Sequence, residues 1–201
     1  MKTSRFALGV FLSAVCVIRI GGADASVSGT TTVSGTLTLP GGGGPPSYVY
    51  SVGQSVTPTG SGYNMPKADY AMLAKVTLAS GGTVTKLGIW ADFINASTPI
   101  KLALFDSSRV VIGSAVSTTI TSGDGQWHDI ASSITVPSAG TYYIGASNNG
   151  AFDGTIVVKV ATGTSGDAYI TFDSGTYTDF PAVTGLTSND GNFALRLELT
   201  P

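Results

Sequence analysis

From residue 70 to the C-terminus, the apolar positions of this chain mostly recur every second residue. Tyr70, Met72, Ala74, Val76 and Leu78 alternate with Ala71, Leu73, Lys75 and Thr77, and Ser80-Gly-Gly82 follows as a turn. Phe193, Leu195, Leu197 and Leu199 alternate in the same way with Ala194, Arg196 and Glu198. Successive strand side chains point to opposite faces, so a period of two predicts strands with one buried face. Further strands are predicted over 84–93, 100–105, 110–120, 127–136, 141–146, 156–160 and 168–172. Gly, Asn, Asp and Pro divide them; Asp106-Ser-Ser-Arg109 is a predicted hairpin turn and Pro137-Ser-Ala-Gly140 another corner. No stretch has a capped 3.6-residue apolar period. Strands this short and this evenly spaced predict a sandwich or barrel. The first and last strands of the main unit lie far apart in sequence and both carry an apolar face. The expected fold is therefore an all-β, jelly-roll-like antiparallel β-sandwich.

The N-terminal region follows a different pattern. Lys2 and Arg5 precede an apolar run from Phe6 to Ile18, and Ala23 and Ala25 flank Asp24 as a signal peptidase requires. The run falls short of the roughly 20 apolar residues that span a bilayer, so residues 1–25 read as a secretory signal and no membrane span is expected in the mature chain. Val15 and Ser13 before Cys16 do not make a lipobox. In residues 26–39 the motif Val27-Ser-Gly-Thr is repeated as Val33-Ser-Gly-Thr, which places Val27, Val33, Leu37 and Leu39 on one strand face. Pro40-Gly-Gly-Gly-Gly-Pro-Pro46 then breaks any regular element. Residues 26–46 are expected to form an extended strand arm on a tether, ahead of a sandwich domain over 47–201.

Composition narrows the function. Charged residues are 11% of the chain, against roughly 25% in an average globular protein, while 23 Ser, 26 Thr and 27 Gly dominate. The 10 Lys+Arg against 12 Asp+Glu give no basic excess, so no nucleic-acid partner is expected. Removing residues 1–25 also removes the single cysteine and leaves 7 basic and 11 acidic residues. The mature chain then has neither a disulfide nor a thiolate, and with the one histidine this excludes a zinc site.

Several stretches carry a family likeness: Ala74-Lys-Val-Thr-Leu-Ala79 with Gly82-Thr-Val-Thr-Lys-Leu-Gly-Ile89, Ile100-Lys-Leu-Ala-Leu-Phe-Asp-Ser107, Gly125-Gln-Trp-His-Asp-Ile130, Val136-Pro-Ser-Ala-Gly-Thr-Tyr-Tyr-Ile-Gly145 and Asn192-Phe-Ala-Leu-Arg-Leu-Glu-Leu199. Over residues 68–200 the chain resembles secreted jelly-roll modules such as carbohydrate-binding and cell-surface accessory domains. That resemblance implies a non-catalytic extracellular role. None of the matching stretches is a catalytic motif, and one fold can host many functions.

The residues themselves argue against an enzyme. His128 is the only histidine, and Trp127 and Asp129 project to the opposite strand face from it. No Gly-x-Ser-x-Gly elbow occurs. Glycoside hydrolysis needs two facing carboxylates, but the single glutamate, Glu198, alternates with core leucines and reads as an outer-face residue. Most aspartates sit in turns, which they favour by bonding their own backbone. No cofactor is expected, although oxygen-rich loops with Asp124, Asp167, Asp173 and Asp190 leave room for a structural calcium ion. Asn95-Ala-Ser97 is a glycosylation sequon.

Sugar recognition calls for aromatic faces with hydrogen-bonding groups beside them. The expected carbohydrate-binding residues are Trp90, Asp92, Trp127, Tyr143, Tyr177 and Phe180, with Trp90 sharing a strand face with Val84, Lys86, Gly88 and Asp92. The expected partner is a polysaccharide or surface glycan. The alternative is a homo-oligomer, a subunit of a surface filament, surface layer or virion fibre. There the 27–39 strand would add to a neighbour's sheet edge.

Overall fold

A computed structural model describes residues 17–20, 23–26, 44–65, 70–94, 97–121, 125–148, 156–172, 180, 187–189 and 191–201. The chain divides into two compact units, Met1–Pro40 and Gly41–Pro201. In the first, β1 (Val17–Ile20) pairs antiparallel with β2 (Ala23–Ser26), and Ile20 lies opposite Ala23. This pair spans the expected cleavage position at Ala25. Val27, Val33, Leu37 and Leu39 lie outside the described residues.

The second unit is a β-sandwich. Its strands are β3 (Ser47–Tyr50), β4 (Ser61–Asn64), β5 (Tyr70–Leu78), β6 (Gly82–Ile94), β7 (Thr98–Phe105), β8 (Val111–Ile120), β9 (Gln126–Val136), β10 (Gly140–Asn148), β11 (Ile156–Thr162), β12 (Ala168–Phe172), β13 (Thr187–Asn189), β14 (Gly191–Phe193) and β15 (Leu195–Thr200). A six-stranded sheet runs β13-β12-β5-β10-β7-β8. A seven-stranded sheet runs β14-β11-β6-β15-β3, with β4 on β11 and β9 on β6.

The core lies between the sheets where the period of two places it. Met72, Ala74, Val76 and Leu78 of β5, with Leu102, Leu104 and Ile144, meet Val84, Leu87, Ile89, Leu195, Leu197 and Leu199. Each large aliphatic side chain buried here contributes about 1.5–3 kcal/mol, which offsets the conformational entropy lost on folding.

Local chemistry sets the corners. The Asp106–Arg109 turn forms as expected: Arg109 N–H donates to the Asp106 carbonyl at 2.9 Å, and Asp106 Oδ1 accepts from Ser108 N–H at 2.8 Å and Val110 N–H at 2.9 Å. This geometry puts Arg109 at φ 66°, a conformation in which glycine is far easier to place.

Two features of the seven-stranded sheet position the site described below. In β6 the register shifts between Val84 and Lys86, so Val84 is buried in the core while Thr85 and Lys86 both reach the outer side. The expected shared face of Val84 with Lys86, Gly88 and Trp90 is thereby corrected, because a bulge inserts one residue and flips the alternation before it. At Ala194 the C-terminal strand changes partner. Its N–H donates to the Lys159 carbonyl of β11 at 2.9 Å, and its carbonyl accepts from Trp90 N–H of β6 at 3.1 Å. Ser51 clamps this branch point, its Oγ donating to the Phe193 carbonyl at 2.6 Å and its N–H to the Leu195 carbonyl at 2.9 Å.

Candidate functional site

Residues opposite one another in antiparallel strands share a face, and the register therefore builds the outer surface of the seven-stranded sheet in rows. Tyr50, Arg196, Gly88 and Asp129 form one row across β3, β15, β6 and β9. Tyr48, Glu198, Lys86 and Ala131 form the next. Trp90 and Trp127 lie opposite each other one step along.

Arg196 organises this surface. Its guanidinium carbon lies 4.0 Å from the ring centroid of Tyr48 and 4.4 Å from that of Trp127, so it is layered between two aromatic side chains. Its Nε donates to Asp129 Oδ1 at 3.0 Å and its Nη2 to Asp129 Oδ2 at 2.6 Å, a two-pronged bond that only a guanidinium makes. Burial disfavours the charge on Arg196, but the bonds to Asp129 outweigh it and hold the pKa above the ordinary arginine value. Position 88 must be glycine for this arrangement. A Cβ there would collide with Asp129 Oδ1 and press on Arg196 Cγ at 3.1 Å.

The aromatic rings are fixed in turn. Trp127 Nε1 donates to the Val56 carbonyl at 2.7 Å, and the ring packs 5.6 Å from both Tyr50 and Trp90. Tyr48 donates its hydroxyl to Asp129 Oδ2 at 3.0 Å and remains 37% exposed, the most open ring of the group. Burial first, and then the bond to Asp129, raise its pKa above the usual phenol value. Lys86 Nζ reaches Glu198 Oε2 at 2.9 Å, and Thr85 Oγ1 donates to Glu198 Oε1 at 2.6 Å. The bonds from Thr85 and then Lys86 lower the Glu198 pKa. Lys159 Nζ lies 3.0 Å from Asp92 Oδ2 at the end of the same face. The result is a surface of aromatic rings, a guanidinium stacked among them and hydrogen-bonding groups held in pairs.

No protein-family model and no curated protein matches this chain.

The structure divides the expected binding residues between two places. Trp90, Asp92 and Trp127 come together on the seven-stranded sheet, although Trp90 is only 9% exposed and serves mainly as a support for Trp127. Tyr143 and Phe180 belong to the opposite side of the molecule. There Ala71, Leu73, Ala103, Phe105 and Tyr143 form a second buried cluster on the outer face of the six-stranded sheet, with Val111, Tyr169 and Phe180 packed against it. Phe180 meets Phe105 edge-on at 5.5 Å, and the Tyr143 hydroxyl donates to the Gly166 carbonyl at 3.3 Å. A single platform containing Trp127, Tyr143 and Phe180 is therefore corrected to two separate surfaces. Tyr177 and Asn95 lie outside the described residues.

The central residues Tyr48, Tyr50, Asp129 and Arg196 were not among those expected. Tyr48-Val-Tyr50, two aromatics spaced by two at the start of the expected sandwich domain, carries the strand signal that would have found this part of the site. His128 lies opposite Ile89, on the other side of β9 from Trp127 and Asp129, as its position predicted. Asp167 is engaged: its Oδ2 accepts from Thr164 Oγ1 at 2.6 Å and Thr164 N–H at 2.9 Å, and Oδ1 pairs with Lys75 Nζ at 3.0 Å. Those bonds, Thr164 first, lower its pKa to about 2. Asp124, Asp173 and Asp190 lie outside the described residues, and the described ones contain no cluster of three metal-ligating side chains.

Proposed function

We propose that this chain is a non-catalytic extracellular module that binds or adheres to a polysaccharide or surface glycan. The observation that carries the reading is the Tyr48–Arg196–Trp127 layer on the outer face of the seven-stranded sheet, with Asp129, Lys86 and Glu198 beside it. An exposed phenol ring offers the apolar surface on which a pyranose face lies, and the neighbouring polar groups suit its hydroxyls. The non-catalytic part rests on how the carboxylates are used. Asp129 and Glu198 are held in ion pairs, and the Glu198 pKa is lowered, whereas a general acid needs it raised. We also read the winding as jelly-roll-like, because the chain passes from sheet to sheet between β5 and β6, β6 and β7, β8 and β9, and β9 and β10. Secretion is proposed from the signal-like sequence of residues 1–25. A glycan array with the wild type and Tyr48→Ala tests the reading. Binding that the variant loses supports it, and an array without any binding overturns it.

A second reading, a self-assembling surface or fibre subunit, draws on the alternating 27–39 sequence and on the division between units at Pro40 and Gly41. Size exclusion with and without residues 26–46 separates the two. Loss of oligomers on deletion favours assembly, and an unchanged monomer eliminates it.

A further inference from the structure

We infer that the glycan taken by this face is an uncharged polysaccharide rather than a uronate-bearing or sulfated one. The inference rests on the glycan-binding reading above and adds the chemical class of ligand. Among the described residues the face carries three cations and three carboxylates in matched pairs: Lys86 with Glu198 at 2.9 Å, Arg196 with Asp129 at 2.6 Å, and Lys159 with Asp92 at 3.0 Å. A uronate or sulfate needs an uncommitted cation, preferably a guanidinium fork. Here Nε and Nη2 of Arg196 are engaged by Asp129, and the Tyr48 and Trp127 rings lie 4.0 and 4.4 Å from its guanidinium carbon. An anion meets an Arg196 side chain that is only 10% exposed and already neutralised by Asp129, and displacing Asp129 would leave that partly buried carboxylate without its cation. An uncharged sugar meets no such conflict. Its hydroxyls can donate to remaining lone pairs of Asp129 and Glu198 and accept from Lys86, while its apolar face lies on Tyr48.

The other outer face supplies an internal contrast. Arg109, held at φ 66°, stacks on Tyr169 with 4.8 Å between guanidinium carbon and ring centroid, and it has no carboxylate partner among the described residues. Charge neutralisation thus distinguishes the Arg196 surface and is not a property of every cation in the molecule.

The test is calorimetric titration of the full chain with uncharged glucan, mannan and galactan oligosaccharides and with uronate and sulfated oligosaccharides, at about 20 and about 300 mM salt. The expected result is binding among the uncharged ligands that changes less than about twofold between the two salts and weakens about tenfold in Tyr48→Ala. Tyr48→Phe keeps the ring and should retain binding, and an unaltered unfolding midpoint for both variants shows that the sandwich is intact. Binding confined to anionic ligands and falling steeply with salt overturns the uncharged class but leaves the glycan reading standing. Binding of uncharged ligands that survives Tyr48→Ala overturns the assignment to this face. Failure of every oligosaccharide to bind overturns the glycan reading itself, and this inference with it.

Discussion

The two outer faces of the sandwich are built from the same alternating strands and end in opposite states. On the seven-stranded sheet, positions facing away from the core hold Tyr48, Tyr50, Lys86, Asp129, Arg196 and Glu198, tied into ion pairs and ring contacts. On the six-stranded sheet the equivalent positions include Leu73, Ala103 and Phe105, all fully buried. The inner faces do not differ in kind. What differs is whether further chain covers the outside: Phe180 packs on Phe105 and over Gly145, where an added Cβ would strike the Phe105 ring. A covered outer face behaves as a second core. On the other face, among the described residues, the charges are instead satisfied by one another across neighbouring strands.

Substitutions at four positions test that contrast, in descending order of expected effect. Phe105→Ala should cost about 3–5 kcal/mol in urea unfolding, because a fully buried ring leaves a cavity between the sheet and Phe180. A cost near that of a surface substitution would mean that this face is not a core. Arg196→Ala should cost about 2–3 kcal/mol, since it strands Asp129 and removes the layer between Tyr48 and Trp127. Arg196→Lys should recover only part of that, an ammonium being unable to fork or stack in the same way.

Asp167→Asn should lower stability by about 1–2 kcal/mol at neutral pH, and the loss should fade in acid. The folded-state pKa of Asp167 is depressed from 3.8 to about 2, so its contribution is complete above the unfolded value and is lost as pH falls through the folded one. Unfolding curves for wild type and variant should accordingly converge as pH approaches 2; a gap independent of pH would show that Asp167 acts by packing alone. The smallest effect belongs to Tyr48→Ala, which should change stability by less than about 1 kcal/mol, because the ring is 37% exposed. With Phe105→Ala it brackets the two faces: one with a partly exposed ring and one that is a core.

Much of the fold was legible in the sequence. The strand alternation correctly assigned Met72, Val76, Leu195 and Leu197 to the core and Arg196 and Glu198 to the outside, and the Asp106–Arg109 turn formed where its residues required it. The candidate site was only half legible. Alternation puts Trp90 and Asp92 on one face, but only the pairing of β6 with β9 brings Trp127 beside Trp90, the outward side of Tyr48-Val-Tyr50 is set by its pairing with β15, and Tyr143 and Phe180 belong to the second cluster. The bulge at Thr85 leaves a mark in β6 that strict alternation passes over: the core positions Val84, Leu87 and Ile89 are spaced by three and then by two.

Alternation is a local property of a strand, so the sequence by itself determined that this chain forms an antiparallel sandwich and which side of most strands points inward. Tertiary structure alone decided which outer face is covered, which cation closes on which carboxylate, and that Tyr48, Arg196, Gly88 and Asp129 meet. Those outcomes depend on residues up to 148 positions apart being brought into register, a distance over which hydrophobic periodicity carries no information about partners.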